Sequence, residues 1–514
     1  MMHTFNKDNS IYRNYEFIFW FLVLTGILLA SSSYPMMKLG FDMWDHVDRI
    51  RSMVLDNAIP SHGRRYWYAS WAYVFRLFDI TDIFIIGTVV HRVQFIANCA
   101  LIYFAAKQLF APLLSLSDSD PVQKQWLSSL AFSSVLVWLT IIGTYSTYQQ
   151  AWIMWYSVNY QITLSMLFLA LGLIANTLAL KHTLQRSMVK LSIAFTLLLG
   201  VLLFHAGELA YFVFYIPIIA LCFGSKINYK RKYVLIIGFL IFFVSYMGIK
   251  FYSDQTPALI THFKNSDFTK IIADINAKGT WNVIQGGNRY SANWNELYSL
   301  SVFLFACTGF ATLTRRFIDV VVDPRVMLFL LLSTVFCFLP TFTYTAGLLS
   351  LISYDGIVNR YYFASFVFLS LPLILFICIK KTKLIKQPAW LILLTLLCIL
   401  TVFLYSKNIN NKGTYYQNVK SIKTSLQAKK IYTEVNEFEI KNVRSQLIEA
   451  EKKYANNEIM YCGAYKNLFI AVYFLNRKNV FFERMAYFDK TVYPVLENCK
   501  ASALQQQKTA IYIQ

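Results

Sequence analysis

"TVVHRVQFIANCALIYFAAKQLF" (residues 88–110) is apolar over most of its length, yet it carries His91, Arg92 and Gln94 in its first half. A helix crossing the hydrocarbon core needs about 20 mainly apolar residues. Charged groups inside such a helix are costly unless they face protein or water. Read as a span, the stretch makes eleven such segments, near 16–33, 82–109, 126–143, 160–180, 189–204, 209–224, 233–250, 298–314, 326–341, 360–379 and 388–405. Of the 514 residues 57% are hydrophobic and only 15% charged, beyond what a globular surface normally tolerates. The expected fold is therefore an α-helical polytopic membrane protein. A net charge of +21 would suit nucleic acid, but long apolar segments break up the lysines and arginines and no continuous basic face forms. No nucleic-acid partner is expected.

Orientation follows from the short loops, because Lys and Arg collect on the cytoplasmic side. "KHTLQRSMVK", "KINYKRKY", "TRRFIDVVVDPR" and "KKTKLIKQP" fall at alternate connections, on the same side as Lys7 and Arg13. The N-terminus is thus expected in the cytoplasm, and an odd number of spans places residues 406–514 outside. A cleaved signal peptide is the alternative for the first span, since "LLASSSY" offers small residues after an apolar core. The chain divides into a membrane domain (1–405), with external loops at 34–81, 251–297 and 341–359, and an external tail (406–514).

In the tail, "NEFEIKNVRSQLIEAEKKYA" has helical spacing. "EIMYCG" and "NVFFER" read as strands, with "NLFIAVYFLN" between them as a helix. That alternation predicts a small C-terminal α/β domain, either a stabilising appendage or a substrate-gripping element. Six of the eight cysteines lie in apolar segments and behave there as small core residues. No zinc-like spacing occurs. Cys462 and Cys499 could pair if the tail faces an oxidising compartment, or remain free thiols.

"LGFDMWDHVDRIRSM" (residues 39–53) packs acids and cations just after the first apolar run. On a helix, Asp42, His46 and Arg49 share one face, with Asp45 and Asp48 slightly round from it. A carboxylate beside apolar side chains at a membrane boundary can act as a general base. The competing reading is an interfacial amphipathic helix, its charges solvated and Met43, Trp44, Val47, Ile50 and Met53 dipping into lipid.

The order of an apolar helix, then GFD-x-x-x-H-x-x-R-I, then "SMVLDNAIP" resembles the first external loop of GT-C type membrane glycosyltransferases. In those enzymes an acid just after the first helix is the catalytic base. "HRVQFIANCALIYFAAKQLF" is similar to their second helix, and the layout is closest to bacterial serotype-converting O-antigen glucosyltransferases. The resemblance implies a GT-C-like catalytic domain and a sugar donor linked to polyprenyl phosphate. It further implies a lipid-linked glycan or O-antigen acceptor and an inverting transfer at the outer face of the bacterial inner membrane. The base would be Asp42, or Asp45, since the two adjacent acids common in that family are here separated.

Such a transfer needs cations to steady the departing phosphate. Arg360, beside Tyr361 at the outer end of the tenth span, fits through its planar fork, or it snorkels within an aromatic belt. Arg92 would touch substrate or pair with a loop-one carboxylate, and His46 would orient the base or be an incidental exposed histidine. His205 and Glu208, in "LLFHAGELAYF", offer a second base with a histidine three residues before it, or a helix cap. In "NVIQGGNRYSANWNELY", Arg289, Trp294 and Glu296 are possible acceptor contacts, or parts of turns. No cofactor is required, although clustered aspartates can hold a divalent cation. An O-antigen polymerase is a neighbouring alternative, and a secondary transporter or lipid flippase one from another class. Transporters tend to show internal repeats with matched broken helices, which are absent from this sequence.

Overall fold

The computed structural model describes residues 41–56, 64–114, 120–143, 159–179, 183–205, 366–382, 387–409, 437–454, 458–463 and 492–513, with isolated positions between them. The architecture is mostly helical. In chain order the elements begin with α1 (Phe41–Asp56), α2 (Arg65–Leu77), α3 (Ile83–Leu113), α4 (Pro121–Gly143), α5 (Asn159–Ala179) and α6 (Leu184–His205). A 3-10 turn (Phe366–Leu369) then runs into α7 (Ser370–Thr382), followed by α8 (Ala389–Ile409), α9 (Glu437–Lys453), β1 (Ile459–Gly463), α10 (Val492–Gln505) and β2 (Thr509–Ile513).

Among the described residues, Ile85–Leu113, Ile162–Ala179 and Leu184–His205 are long and apolar enough to cross a membrane, and Ser370–Lys380 and Ala389–Thr401 are shorter apolar helices. The expected segments near 82–109, 126–143, 160–180, 189–204, 360–379 and 388–405 each fall on a helix. Those near 16–33, 209–224, 233–250, 298–314 and 326–341 lie outside the described residues, apart from isolated positions.

Short polar residues set the helix starts. The Asp82 carboxylate accepts the Ile85 N–H (2.9 Å), Asp120 accepts that of Val122 (2.8 Å) ahead of a helix opening on Pro121, and Thr183 accepts that of Arg186 (3.3 Å). Each bond satisfies a donor that the first helical turn leaves unpaired. α5 is buried on nearly every side, through Leu164, Leu167, Phe168, Leu171 and Ala175, whereas α6 buries the stripe Leu191, Ala194, Leu198, Val201 and Leu202 and exposes Val189, Ile193 and Leu199.

α3 and α5 run parallel, with Gly172 opposite Ala105 and the Asn176 amide donating to the Gln108 carbonyl (2.9 Å). Their approach depends on small residues, because a Cβ at Gly172 would stand 3.0 Å from the Ala105 carbonyl oxygen. Gly172→Leu is therefore expected to destabilise by about 1–3 kcal/mol through overpacking, read as a lower thermal unfolding midpoint in detergent. A leucine variant as stable as wild type would disprove this close contact.

α6 returns antiparallel to α5. Lys190 Nζ donates to Asn176 Oδ1 (2.6 Å) and Gln108 Oε1 (3.3 Å), joining three helices through one cation. Lys380 lies 4.5 Å over the Trp126 ring, so the end of α7 meets the start of α4. This end of the bundle is cationic. At the opposite end, α1 and α2 pack on the first turns of α3 and the last turn of α6, through Ile86, Val89, Val90 and Phe204.

In the C-terminal elements, β1 and β2 pair in parallel, from Ile459 with Thr509 to Gly463 with Ile513. Glycine is needed at 463, where a Cβ would run into the Ile513 carbonyl. Val443, Leu447 and Ala450 of α9 pack on Ile459, Tyr461, Leu468 and Ile513. Cys462 and Cys499 form a disulfide with a Cα separation of 6.1 Å, which overturns the free-thiol alternative. "NVFFER" lies outside the described residues; among the described residues the strand beside β1 is 509–513, a segment that sequence reasoning leaves unassigned.

Arg477 grips Glu451 at two points, Nε to Oε1 at 2.6 Å and Nη2 to Oε2 at 2.8 Å, while Tyr461 Oη donates to Oε1 at 3.1 Å. Burial first, and the Glu451 carboxylate second, hold the Tyr461 phenol above its ordinary value, against the opposing pull of Arg477. The folded state thus favours the neutral phenol. Its contribution is intact below the unfolded value of about 10 and is lost as pH rises beyond it. Tyr461→Phe is expected to flatten the alkaline limb of a stability-versus-pH curve, and a limb of unchanged slope would contradict the assignment.

Candidate functional site

α1 and α2 form a helical hairpin because each presents an apolar stripe to the other. Val47, Ile50 and Met53 recur every three residues on α1 and are buried against Trp67, Tyr68, Ala72 and Phe75 of α2 and Ile86 and Val90 of α3. Protein, not lipid, covers these three side chains, which corrects the interfacial-helix reading of α1. At the burial worth of such side chains the hairpin is held by several kcal/mol, at roughly 1.5–3 kcal/mol each. α1 is further tied to its neighbours where Arg76 of α2 donates to the Met53 carbonyl and Arg51 Nε donates to the carbonyl of Thr81, beyond α2 (3.2 Å).

His46 lies on the same buried face and is only 6% exposed, so it is not an incidental surface histidine. Arg64 Nη1 stands 2.5 Å from His46 Nε2, and His46 Nδ1 stands 2.7 Å from Tyr68 Oη. A guanidinium can only donate, so Nε2 accepts and the ring is neutral, with its proton on Nδ1 given to the Tyr68 hydroxyl. Trp67 meets the imidazole edge-on at 6.1 Å. His46→Ala is expected to cost about 1–3 kcal/mol, because it strips partners from buried polar groups. His46→Gln, able to bond in both directions, should recover part of that loss in thermal unfolding. Equal stability of wild type and alanine variant would show that the link carries no load.

Asp42 is one turn before His46 on α1, and Asp45 immediately precedes it. Arg49, one turn on, is half-buried. His205 ends α6 directly after Phe204, which packs in the hairpin's own core, so the α6 terminus and the acid-bearing helix meet at one end of the bundle. Arg92 lies on α3 two residues beyond Val90. It is half-buried, and its Nε has no acceptor among the described residues. Deeper on α3, Asn98 is fully buried, with neither amide atom bonded among those residues.

The structure thus brings Asp42, Asp45, His46, Arg49 and His205 to one end of the bundle, with Arg92 a little further along α3. Glu208, Arg289, Trp294, Glu296, Arg360 and Tyr361 lie outside the described residues. Sequence reasoning misses Arg64 and Tyr68. Their signal is the four-residue spacing in "RRYWY", which puts a guanidinium and a phenol on one face of α2. Among the described residues, no group of three or more His, Cys, Asp or Glu converges as a metal site would require. Such an arrangement offers a carboxylate-bearing helix clamped at a bundle mouth beside arginines, a setting suited to proton removal next to an anionic group. No family model, curated protein or solved structure matches this chain.

Proposed function

We propose that the protein is a GT-C-like membrane glycosyltransferase of the bacterial inner membrane. It moves a sugar, glucose by the layout resemblance, from a polyprenyl-phosphate donor to a periplasmic glycan such as lipopolysaccharide O-antigen. The supporting observation is the rigid seating of α1, which holds Asp42 and Asp45 next to the locked Arg64–His46–Tyr68 link at the bundle end opposite the lysines. Cations gathered at the other end favour a cytoplasmic placement for that end and an external one for α1. The Cys462–Cys499 bond favours an oxidising surround for the C-terminal domain. Under this reading eleven spans carry an inverting transfer in which Asp42, or Asp45, takes the acceptor's hydroxyl proton. Arg92, Arg360 and Tyr361 face the donor phosphate, while Glu208 is the runner-up base and Arg289 an acceptor contact.

The test is mass spectrometry of surface glycan in cells carrying wild type, Asp42→Asn, Asp45→Asn or Glu208→Gln. Loss of added hexose in a carboxylate variant that remains abundant is expected. Unchanged hexose in all three overturns the assignment. A second reading, a lipid flippase or secondary transporter, draws on Arg92 Nε and the Asn98 amide, polar atoms within a span that lack bonds among the described residues. It requires lipid or solute movement in proteoliposomes without glycan modification.

A further inference from the structure

α2 is apolar on two faces, and the α1–α2 core explains only one. Trp67, Tyr68, Ala72 and Phe75 are buried, whereas Tyr73, Leu77 and Phe78 stay 65%, 64% and 70% exposed, with Tyr66 and Val74 also uncovered. Tyr66, Tyr73 and Leu77 are spaced seven and four apart, so they form one line along the helix, flanked by Val74. Water-facing helices seldom present so many large apolar groups together, and such patches mark a protein or membrane contact.

Its place in the fold decides between those two. We infer that the uncovered face of α2 is a lipid-binding surface, lying in the membrane–water interface with its aromatic and aliphatic side chains in the leaflet. The hairpin core includes Phe204 from the last turn of α6, a helix long and apolar enough to span, so α2 is level with that span's end. Only Asp79, Ile80, Thr81 and Asp82 separate Phe78 from α3. The turn is fixed by left-handed Asp79 (φ 52°), by the Ile80 N–H bonded to the Phe75 carbonyl (2.9 Å) and by the Asp82 cap. Past this short turn, Ile85 and Val93 of the α3 span are exposed as well.

Side-chain chemistry agrees. Tyrosine rings favour the headgroup level, and Leu, Val and Phe the acyl boundary. Arg65, over the Tyr66 ring at 5.0 Å, borders the face and can reach anionic headgroups along its apolar stem. No acid occurs in α2, so the uncovered face is bordered by cation and not by carboxylate along the helix. An anionic leaflet complements it. This placement does not depend on the glycosyltransferase reading.

The test uses the full chain in nanodiscs of phosphatidylethanolamine and phosphatidylglycerol, with photoreactive benzoylphenylalanine replacing Tyr73, Phe78, Val93 or Lys441 one at a time. After irradiation, mass spectrometry scores lipid adducts. Yields at Tyr73 and Phe78 should match that at Val93 and exceed that at Lys441, on the exposed side of α9, by about tenfold. Lipid yields at Tyr73 and Phe78 no higher than at Lys441 overturn the inference, as does crosslinking of those positions to a second copy or another protein.

Discussion

Asp42→Asn is expected, under the proposed glycosyltransferase function, to lower sugar transfer by the purified protein about 10²- to 10⁴-fold, the usual worth of a positioned general base. The substitution keeps shape and removes only the ability to take a proton. It sits in the first turn of α1, one turn from His46, while the contacts that hold the hairpin belong to Val47, Ile50, Met53 and His46 itself. Thermal stability should consequently be nearly unchanged while kcat falls. Donor KM should move little, since a base that acts on the acceptor hydroxyl contributes little to holding the donor phosphate. Asp45→Asn, three residues on and about 60° round the helix from Asp42, should cost far less if Asp42 is the base. The reverse ranking would transfer the role to Asp45, and equal full activity of both variants would remove loop one from the chemistry.

Cys462→Ser, or reduction of the Cys462–Cys499 bond, should destabilise the C-terminal elements by about 3–4 kcal/mol on the chain-entropy estimate for a loop of this length. The two cysteines are 37 residues apart, and both are fully or almost fully buried. The bond ties β1 to α10, which among the described residues also meets the strand through a small apolar contact of Met460 and Ala503. With so little apolar area, the covalent tie carries a large share of local stability. Urea unfolding followed by limited proteolysis between 464 and 491 should move to much lower urea under reductant. The transmembrane helices should not respond. If the midpoint does not shift, packing holds β1 without the bond.

Periodicity made the long helices legible. α3, α5 and α6 fall within a few residues of the segments read from apolar runs, because in each case length alone satisfies the membrane criterion. His91, Arg92 and Gln94 did not break α3, since Gln94 is buried in protein and Arg92 half so. The face of α1 was harder. Its apolar residues fit lipid or protein equally, and only the partner helix, with Trp67 and Phe75 at the right height, settles the matter. The Arg64–His46–Tyr68 link joins positions 18 and 22 residues apart, and no local pattern announces a contact made across a turn. β2 escaped for a related reason, because "TAIYI" is short and one-sided and becomes a strand only against β1.

The pairing of β1 with β2 has a consequence for biogenesis. A ribosome makes residues 459–463 well before 509–513, so the earlier strand must wait, its hydrogen-bonding edge toward β2 unmatched, until the later segment has been made. A frameshift or stop codon ahead of Thr509 would leave that edge without its partner strand.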